Sequence, residues 1–195
     1  MKLQALAAST YLTGDEVIDV SHPSIKRLAS TLRAQHADDV SFARAAFEHV
    51  RDTVLHSWDV QDSRVTLSAS QTLREGVGLC FAKAHLLAAL LRVEGIPTGL
   101  CYQRLADDGS SFTVHGLVAV HLQGAWHRQD PRGNKPGVDT QFSLVTERLA
   151  WPVRTELGEQ DYPQLLVSPH PEVVRALRGA TDVLALCRGG LPSRL

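Results

Sequence analysis

The N-terminal third of the chain places its hydrophobic residues at the spacing of amphipathic helices. Pro23 suits the first turn of a helix that we expect to begin near Ser21 and to end near Gln35. A second helix is predicted to follow Asp38 and Asp39, whose carboxylates favour a helix N-terminus. Its apolar stripe comprises Val40, Ala43, Phe47, Val50 and Val54. Both helices are expected to cover a core.

A buried helix is predicted in the middle of the chain. Residues 81–94 are rich in Ala and Leu, which are strong helix formers, and apolar side chains lie on nearly all sides of the segment. Gly95 and Pro97 end this helix. A shorter helix over residues 69–74 runs into the glycine-rich turn of residues 76–78, where the chain can change direction sharply.

Beyond the buried helix, the pattern changes to that of β-strands. Strands are predicted over residues 98–105, 112–122 and 125–130, joined by turns at residues 107–109 and 123–124. This order predicts an antiparallel meander on which the buried helix can pack.

The rest of the chain has fewer regular elements. Residues 131–137 form a loop rich in Pro and Gly, residues 140–149 are a candidate strand, and residues 171–177 and 181–188 are expected to be two short helices. The predicted fold class is therefore α+β, with N-terminal helices and a central helix packed on an antiparallel β-sheet.

Length and charge limit the architecture and the class of partner. With 195 residues, 44% of them hydrophobic, the chain is expected to form a single domain over residues 1–195. Its core is placed at about residues 40–150, between a helical lead-in over residues 1–39 and a helical tail over residues 163–195. A formal net charge of -1 provides no field that attracts a polyanion, so neither nucleic acid nor a membrane is expected as a partner. The sequence lacks a long apolar run and a leader-like N-terminus, which predicts a cytoplasmic location.

The cysteines suggest neither a disulfide framework nor a thiolate zinc site. Cys80, Cys101 and Cys187 are odd in number, far apart and without a CxxC pair. Cys101 and Cys187 are interpreted as packing residues of a strand and a helix.

Cys80 has a position that favours a nucleophile, because it follows the glycine-rich turn at the first residue or two of the buried helix. About four backbone N–H groups are free at a helix start, and together with the helix dipole they stabilise a thiolate. The same groups can bind the oxyanion that forms when a thiolate attacks a carbonyl. The alternative is that Cys80 is a small buried hydrophobic residue, as most free cysteines are.

The predicted hairpin brings a histidine and a carboxylate onto one face. With a two-residue loop, Leu122 opposes Ala125, and counting back makes Leu117 oppose Asp130. His115 shares the face of Leu117 and is therefore a diagonal neighbour of Asp130, at roughly 7 to 8 Å between backbones. A carboxylate at that distance can orient an imidazole. Taken singly, His115 is equally a strand histidine beside the core and Asp130 a turn residue.

Together, these segments resemble the transglutaminase-like superfamily, especially its bacterial members. The similarity covers about residues 40–132, and the lead-in around residues 11–23 is similar to that of related bacterial proteins. The matching residues are GVGLC at 76–80, AKA at 82–84, LLRVEGIP at 90–97, His115-Gly116, and Trp126 ahead of Asp130-Pro131.

The resemblance implies a papain-related fold and a Cys-His-Asp triad. In that triad Cys80 is the nucleophile, His115 the general base and then acid, and Asp130 the residue that holds the imidazole tautomer. It also implies acyl transfer from an amide- or ester-bearing peptide or small molecule to water or an amine, through a thioester and without a cofactor. The related arylamine acetyltransferases share the triad, but the sequence shows no coenzyme A signature. Substrate identity and oligomeric state do not follow from the sequence.

Four further residues are candidates around the site. Gln71 and the backbone near Gly78 are candidates for the second oxyanion donor, against ordinary roles in a helix and a turn. Phe81 stands where many relatives have a small or polar residue, and so bears on access to the thiol and on the acyl groups that fit. Trp126 is expected to pack beside the site, or equally to be a surface or core aromatic residue.

Two other interpretations compete with an acyl-transfer enzyme. His121 shares the face of His115 and His85 lies on the buried helix, so a metal site with Cys80 has to be weighed; zinc needs three or four converging ligands, and because no such spacing is present, no metal is predicted. The second interpretation is a non-catalytic binding or scaffold domain that keeps the fold. Retention of all three triad residue types argues against it.

Overall fold

The chain forms a mixed helix and sheet structure in the computed structural model, which describes residues 1–106 and 111–195. The helices are α1 (Pro23–Arg33), α2 (Asp39–Thr53), α3 (Ser57–Val60), α4 (Ala69–Glu75), α5 (Cys80–Val93), α6 (Pro171–Gly179) and α7 (Val183–Cys187). The strands are β1 (Leu55–His56), β2 (Val77–Gly78), β3 (Thr98–Ala106), β4 (Phe112–Leu122), β5 (Ala125–Gln129) and β6 (Gln160–Asp161). The predicted α+β class is confirmed, whereas the turn predicted at residues 107–109 lies outside the described residues.

The main sheet has four antiparallel strands in the order β5-β4-β3-β6. Gln123 and Gly124 both have positive φ angles, 52° and 78°, which is the geometry of a tight two-residue hairpin. Leu122 pairs with Ala125 and Val118 with Gln129, so the predicted register of the hairpin is confirmed. A separate pair of two-residue strands, β1 and β2, runs parallel and places His56 opposite Gly78.

Helix α5 lies at the centre of the molecule, and its residues from Cys80 to Arg92 are all buried. Helices α1, α2 and α4 pack against it, and β3 and β4 lie against it on the sheet side. Its many alanines lower the bulk between helix and neighbours, so the surrounding elements approach closely. The main core extends into the C-terminal region through Val173, Leu177 and Val183. A smaller cluster comprises Tyr11, Cys101, Leu117, Ala119 and Leu165.

Several elements differ from the sequence-based expectation. The strand predicted over residues 140–149 does not form. Its backbone groups are hydrogen-bonded to side chains instead of to a neighbouring strand. The Gln129 amide bonds to both the carbonyl and the N–H of Ser143, and Arg51 donates to the Thr140 carbonyl. Strands β1, β2 and β6 and the short helix α3 were not predicted, because each is too short to produce a periodic pattern. Within the described ranges, each helix is too short or too polar to cross a membrane.

Candidate active site

Cys80 is the first residue of α5, as predicted. The preceding Leu79 has extended backbone angles and contributes no side-chain cap, which leaves the first N–H groups of the helix to other partners. The Sγ atom of Cys80 accepts a hydrogen bond from the backbone N–H of Gly116 at 3.5 Å, which fixes the sulfur beside β4. The residue is 8% exposed and lines a cavity, so the thiol is sheltered but reachable.

His115 and Asp130 are in direct contact. His115 Nε2 donates to Asp130 Oδ2 over 2.8 Å, and both side chains are buried. Backbone N–H groups of Arg132 and Ala150 also donate to this carboxylate, at 3.1 and 3.0 Å, and hold it in place. The predicted pairing of His115 with Asp130 across the hairpin is confirmed.

The electrostatics of the pair favour its ionised form. Burial alone lowers the pKa of His115, but the Asp130 carboxylate and the Cys80 sulfur outweigh burial and raise this pKa to about 10. Burial raises the pKa of Asp130, but His115 and the two backbone donors outweigh it, and the pKa of Asp130 is lowered. Because Nε2 is bound to Asp130, Nδ1 is the ring nitrogen that remains for Cys80. An imidazolium beside a sulfur is the arrangement that holds a cysteine as thiolate.

A cavity of about 460 Å³ opens beside Cys80 and His115. Trp58, Trp151 and Leu191 contribute apolar parts of its wall, and Arg132 and Lys135 contribute charged parts. A cavity of this size can hold a small amide or one or two residues of a peptide. The arrangement therefore combines a positioned sulfur, an imidazole held by a carboxylate and room for an acyl group.

The structure corrects the expectation for Trp126. This residue pairs with His121 on β4, six residues from His115, which at 3.3 Å per residue is roughly 20 Å from the site. It packs edge-on against Tyr11 and His121 instead. The tryptophan that packs on His115 is Trp151, whose ring lies 5.1 Å from that of His115 at 84°.

The structure gives Gln71 another role and leaves the backbone near Gly78 as a candidate oxyanion donor. The amide of Gln71 is occupied by the preceding loop, because it accepts the Leu67 N–H at 3.0 Å and donates to the Val65 carbonyl at 3.2 Å. Gly78 fills a packing role, since a Cβ atom there would lie 2.8 Å from Thr66 Oγ1 and 2.9 Å from Ala82 Cβ. Neither side chain belongs to the cavity wall, but Leu79 and Cys80, which follow Gly78, do.

Phe81 lies beneath the site and also reaches the cavity wall. A Cβ atom on Gly116 would lie 2.6 Å from Phe81 Cδ1, and the Phe81 ring lies 6.4 Å from that of Tyr102. The side chain is 1% exposed. Phe81 therefore fixes the distance between α5 and β4, and Gly116 is required where the two approach.

Several residues near the site carried no signal in the sequence pattern. His56 lines the cavity as a neutral imidazole, because burial, Arg132 and other nearby cations lower its pKa to about 3. Arg132 is held by the Asp59 carboxylate. Trp151 and Arg132 belong to irregular segments, where periodicity gives no information. The pairing of His56 with Gly78 could not be predicted from the sequence either, because each of the two strands has only two residues.

The remaining histidines and cysteines lie apart from Cys80 or make other contacts. His85 Nδ1 bonds to the Leu67 carbonyl at 2.8 Å, and burial lowers its pKa to about 4. Among the described residues, no group of three or more His, Cys, Asp or Glu side chains has the geometry of a metal site. Cys101 lies in the smaller cluster, where burial raises its pKa to about 12. Cys187 packs on the main core and also lines the cavity.

Comparisons with known proteins give the same fold. Residues 26–131, more than half of the chain, match the family model of the Transglutaminase-like superfamily. Among curated proteins, none matches the chain in sequence. A candidate cysteine protease from Cytophaga hutchinsonii has a similar structure, with a TM-score of 0.54 and 19% identity over 67% of this chain and 46% of that one.

Two further solved structures are more distant. The periplasmic domain of TgpA from Pseudomonas aeruginosa gives a TM-score of 0.48 and 19% identity over 65% of this chain and 48% of its own. A protein described as a TGase gives a TM-score of 0.47 and 16% identity over 66% of this chain and 34% of its own. The chain thus spans less than half the length of each of these proteins.

Proposed function

Because the chain belongs to the transglutaminase-like superfamily, we propose that it is a cysteine-dependent acyl-transfer enzyme acting on an amide or ester through Cys80, His115 and Asp130. The observation that carries the proposal is the contact of 2.8 Å between His115 and Asp130, beside a sulfur that lies at a helix N-terminus. These are the positions that a nucleophile, a base and an orienting carboxylate require.

The chemistry then follows from the charges of the three groups. The Cys80 thiolate attacks the carbonyl carbon, and backbone N–H groups at the start of α5 stabilise the oxyanion. As the bond from carbon to the leaving nitrogen or oxygen breaks, His115 Nδ1 gives its proton to that atom, and a thioester remains on Cys80. Water or an amine next attacks the thioester while Nδ1 takes its proton, and the bond from carbon to sulfur breaks.

Asp130 acts by holding the imidazole. Its carboxylate accepts from Nε2 and from two backbone N–H groups, so the ring presents Nδ1 to the sulfur throughout the cycle. Trp151 packs edge-on against the same ring and limits its rotation. The two outcomes, hydrolysis and transfer to an amine, share every step up to the thioester.

The proposal is tested by incubating the protein with a library of amide and ester acyl donors and reading adducts on Cys80 by mass spectrometry. We expect acyl adducts in the wild type, and turnover that falls by at least about 1000-fold in Cys80→Ala. Cys101→Ala is the matched control, because that buried cysteine lies in the smaller cluster and its loss leaves the chemistry in place.

Two results would count against the proposal. One is turnover that is unchanged in Cys80→Ala. The other is a Cys80 thiol that is inert to iodoacetamide at neutral pH, since a reachable thiolate reacts readily with it. An inert thiol would favour a scaffold domain that keeps the fold.

A further inference from the structure

One wall of the cavity beside Cys80 carries two cations that share a single carboxylate. Arg132 donates to both oxygens of Asp59, at 2.6 and 2.8 Å, and Lys135 Nζ donates to Asp59 Oδ1 at 3.0 Å. Arg132 and Lys135 belong to the cavity wall, whereas Asp59 does not. The two positive groups therefore border the cavity and their counter-ion lies outside its lining.

The charges of this wall do not cancel. Burial raises the pKa of Asp59, but hydrogen bonds from Arg132 and Lys135 outweigh burial, so the pKa of Asp59 is lowered and the group is an anion. One anion against two cations leaves one positive charge. His56, also in the wall, is neutral at physiological pH because its pKa is lowered to about 3.

The other ion pair at the cavity adds no net charge. Arg154 bonds to Glu159 through its Nε at 3.1 Å, and both residues line the cavity. Glu159 also accepts the backbone N–H groups of Ala106 and Arg154, which keeps it ionised. Away from the proposed triad, the excess charge of the cavity therefore lies at Arg132 and Lys135.

Both cations also have N–H donors that do not bond to Asp59. Arg132 is 2% exposed, and its buried Nε finds no hydrogen-bond partner within the residues that the structure describes. Lys135 has an ammonium with three donors, of which Asp59 takes one, and its side chain is 36% exposed. Arg132 thus contributes charge to this wall, whereas the two remaining donors of Lys135 are those that an incoming acceptor can reach.

We propose that this wall binds a carboxylate of the acyl donor, so that the enzyme selects amides or esters bearing a negative charge close to the reacting carbonyl. The inference rests on the proposed function and names the substrate class of the same site. A carboxylate fits better than a phosphate dianion because the excess charge is one and the guanidinium fork of Arg132 is already occupied by Asp59. Trp58 and Trp151 in the same cavity provide apolar surface for the carbon part of the substrate.

The first experiment compares alkylation of Cys80 by iodoacetate and by iodoacetamide, which are similar in size and differ in charge. In both reactions the sulfur forms a bond to the CH₂ carbon and iodide leaves. The measured quantity is the rate constant for iodoacetate divided by that for iodoacetamide. At low salt, we expect this ratio to fall about 3- to 10-fold in Lys135→Glu, and less in Lys135→Gln. Lys26→Glu, the same charge change at an exposed position of α1, is the control and should leave the ratio unchanged.

A second experiment does not depend on thiol chemistry. Binding of succinamate and of neutral succinamide is measured by calorimetry on Cys80→Ala protein. We expect succinamate to bind about 3- to 10-fold more tightly, and the preference to disappear when Lys135→Gln is added.

The outcomes separate the two proposals. An iodoacetamide-inert Cys80 in the wild type counts against the proposed acyl transfer, while a succinamate preference that depends on Lys135 still supports the anionic subsite. A ratio that is unchanged in Lys135→Glu, together with equal binding of succinamate and succinamide, would overturn the subsite and leave the acyl-transfer proposal standing.

Discussion

Strand β4 carries two histidines that share several neighbours of the same type but differ in the contacts made by the adjacent strand. His115 and His121 are six residues apart, so strand alternation places them on the same face. Each meets the edge of a tryptophan: the His115 and Trp151 rings lie 5.1 Å apart at 84°, and the His121 and Trp126 rings lie 5.0 Å apart at 63°. Residue type, strand, face and aromatic neighbour are therefore shared.

The difference lies in what happens to the neighbouring strand. Beside His121 the hairpin ladder is intact, and Trp126 is its paired residue on β5. Beside His115 the ladder has ended, because β5 stops at Gln129 and the Asp130 carboxylate takes the place of further pairing. Gly116 then has its N–H free to bond to the Cys80 sulfur. His115 thus contacts a carboxylate and lies near the cysteine because the pairing of β4 with β5 ends beside it and the start of α5 packs there.

The largest expected effect separates the two histidines by activity. His115→Gln should lower kcat/KM for an acyl donor found in the library by about 10²- to 10⁴-fold, since the positioned base and acid is lost. His121→Gln should change it less than about twofold, because Cys80, His115 and Asp130 lie at the opposite end of the strand. Steady-state kinetics on both variants give the comparison. Equal losses in the two variants would contradict it.

A smaller effect separates the two tryptophans. Trp151→Ala should lower kcat/KM about tenfold, because the ring packs on both His115 and the Arg132 guanidinium and so positions two groups of the site. Trp126→Ala should leave kcat/KM unchanged and instead lower the free energy of unfolding by about 2 kcal/mol, since it loses partly buried packing. Measuring kcat/KM and the urea unfolding free energy of both variants tests whether Trp151→Ala affects activity and Trp126→Ala affects stability. A kinetic loss in Trp126→Ala as large as that in Trp151→Ala would refute it.

A third effect concerns stability and pH at the His115 end. Its folded-state pKa is raised to about 10, above the ordinary value of 6.5. The stabilisation of its charged form is thus fully present below pH 6.5 and is lost as pH rises towards 10, where the unfolded chain has already released the proton. The advantage in unfolding free energy of the wild type over His115→Gln should shrink from pH 6.5 to 10 in urea titrations. An advantage that grows over this range would show that Asp130 does not stabilise an imidazolium.

Much of the site followed from the sequence because short-range rules govern it. A two-residue turn and side-chain alternation are sufficient to pair Leu122 with Ala125 and to bring His115 to Asp130. The same rules, applied to Trp126, place it far away: in an antiparallel hairpin, moving four residues back from Asp130 along β5 moves away from His115 along β4. The expectation for Trp126 used closeness in sequence, whereas the register decides closeness in space.

The residues that the sequence did not reveal are those joined by loops. Arg132 and Asp59 are 73 residues apart, and both ends of that ion pair lie outside any long periodic element. Trp151 follows a segment whose apolar residues alternate like those of a strand, but whose backbone bonds to side chains of Gln129 and Arg51. Contacts of this kind depend on the whole fold, which local periodicity does not encode.

The bond from the Gly116 amide to the Cys80 sulfur also has a consequence for the order of events during folding. It joins positions 36 residues apart, so it forms only when the start of α5 and strand β4 meet, at the entropic cost of closing the intervening loop. Until then the sulfur is an ordinary thiol on a helix, without its imidazolium neighbour. Under the proposed mechanism, the rate at which the Cys80 peptide is labelled during refolding, read by mass spectrometry, therefore reports when the sheet docks on α5.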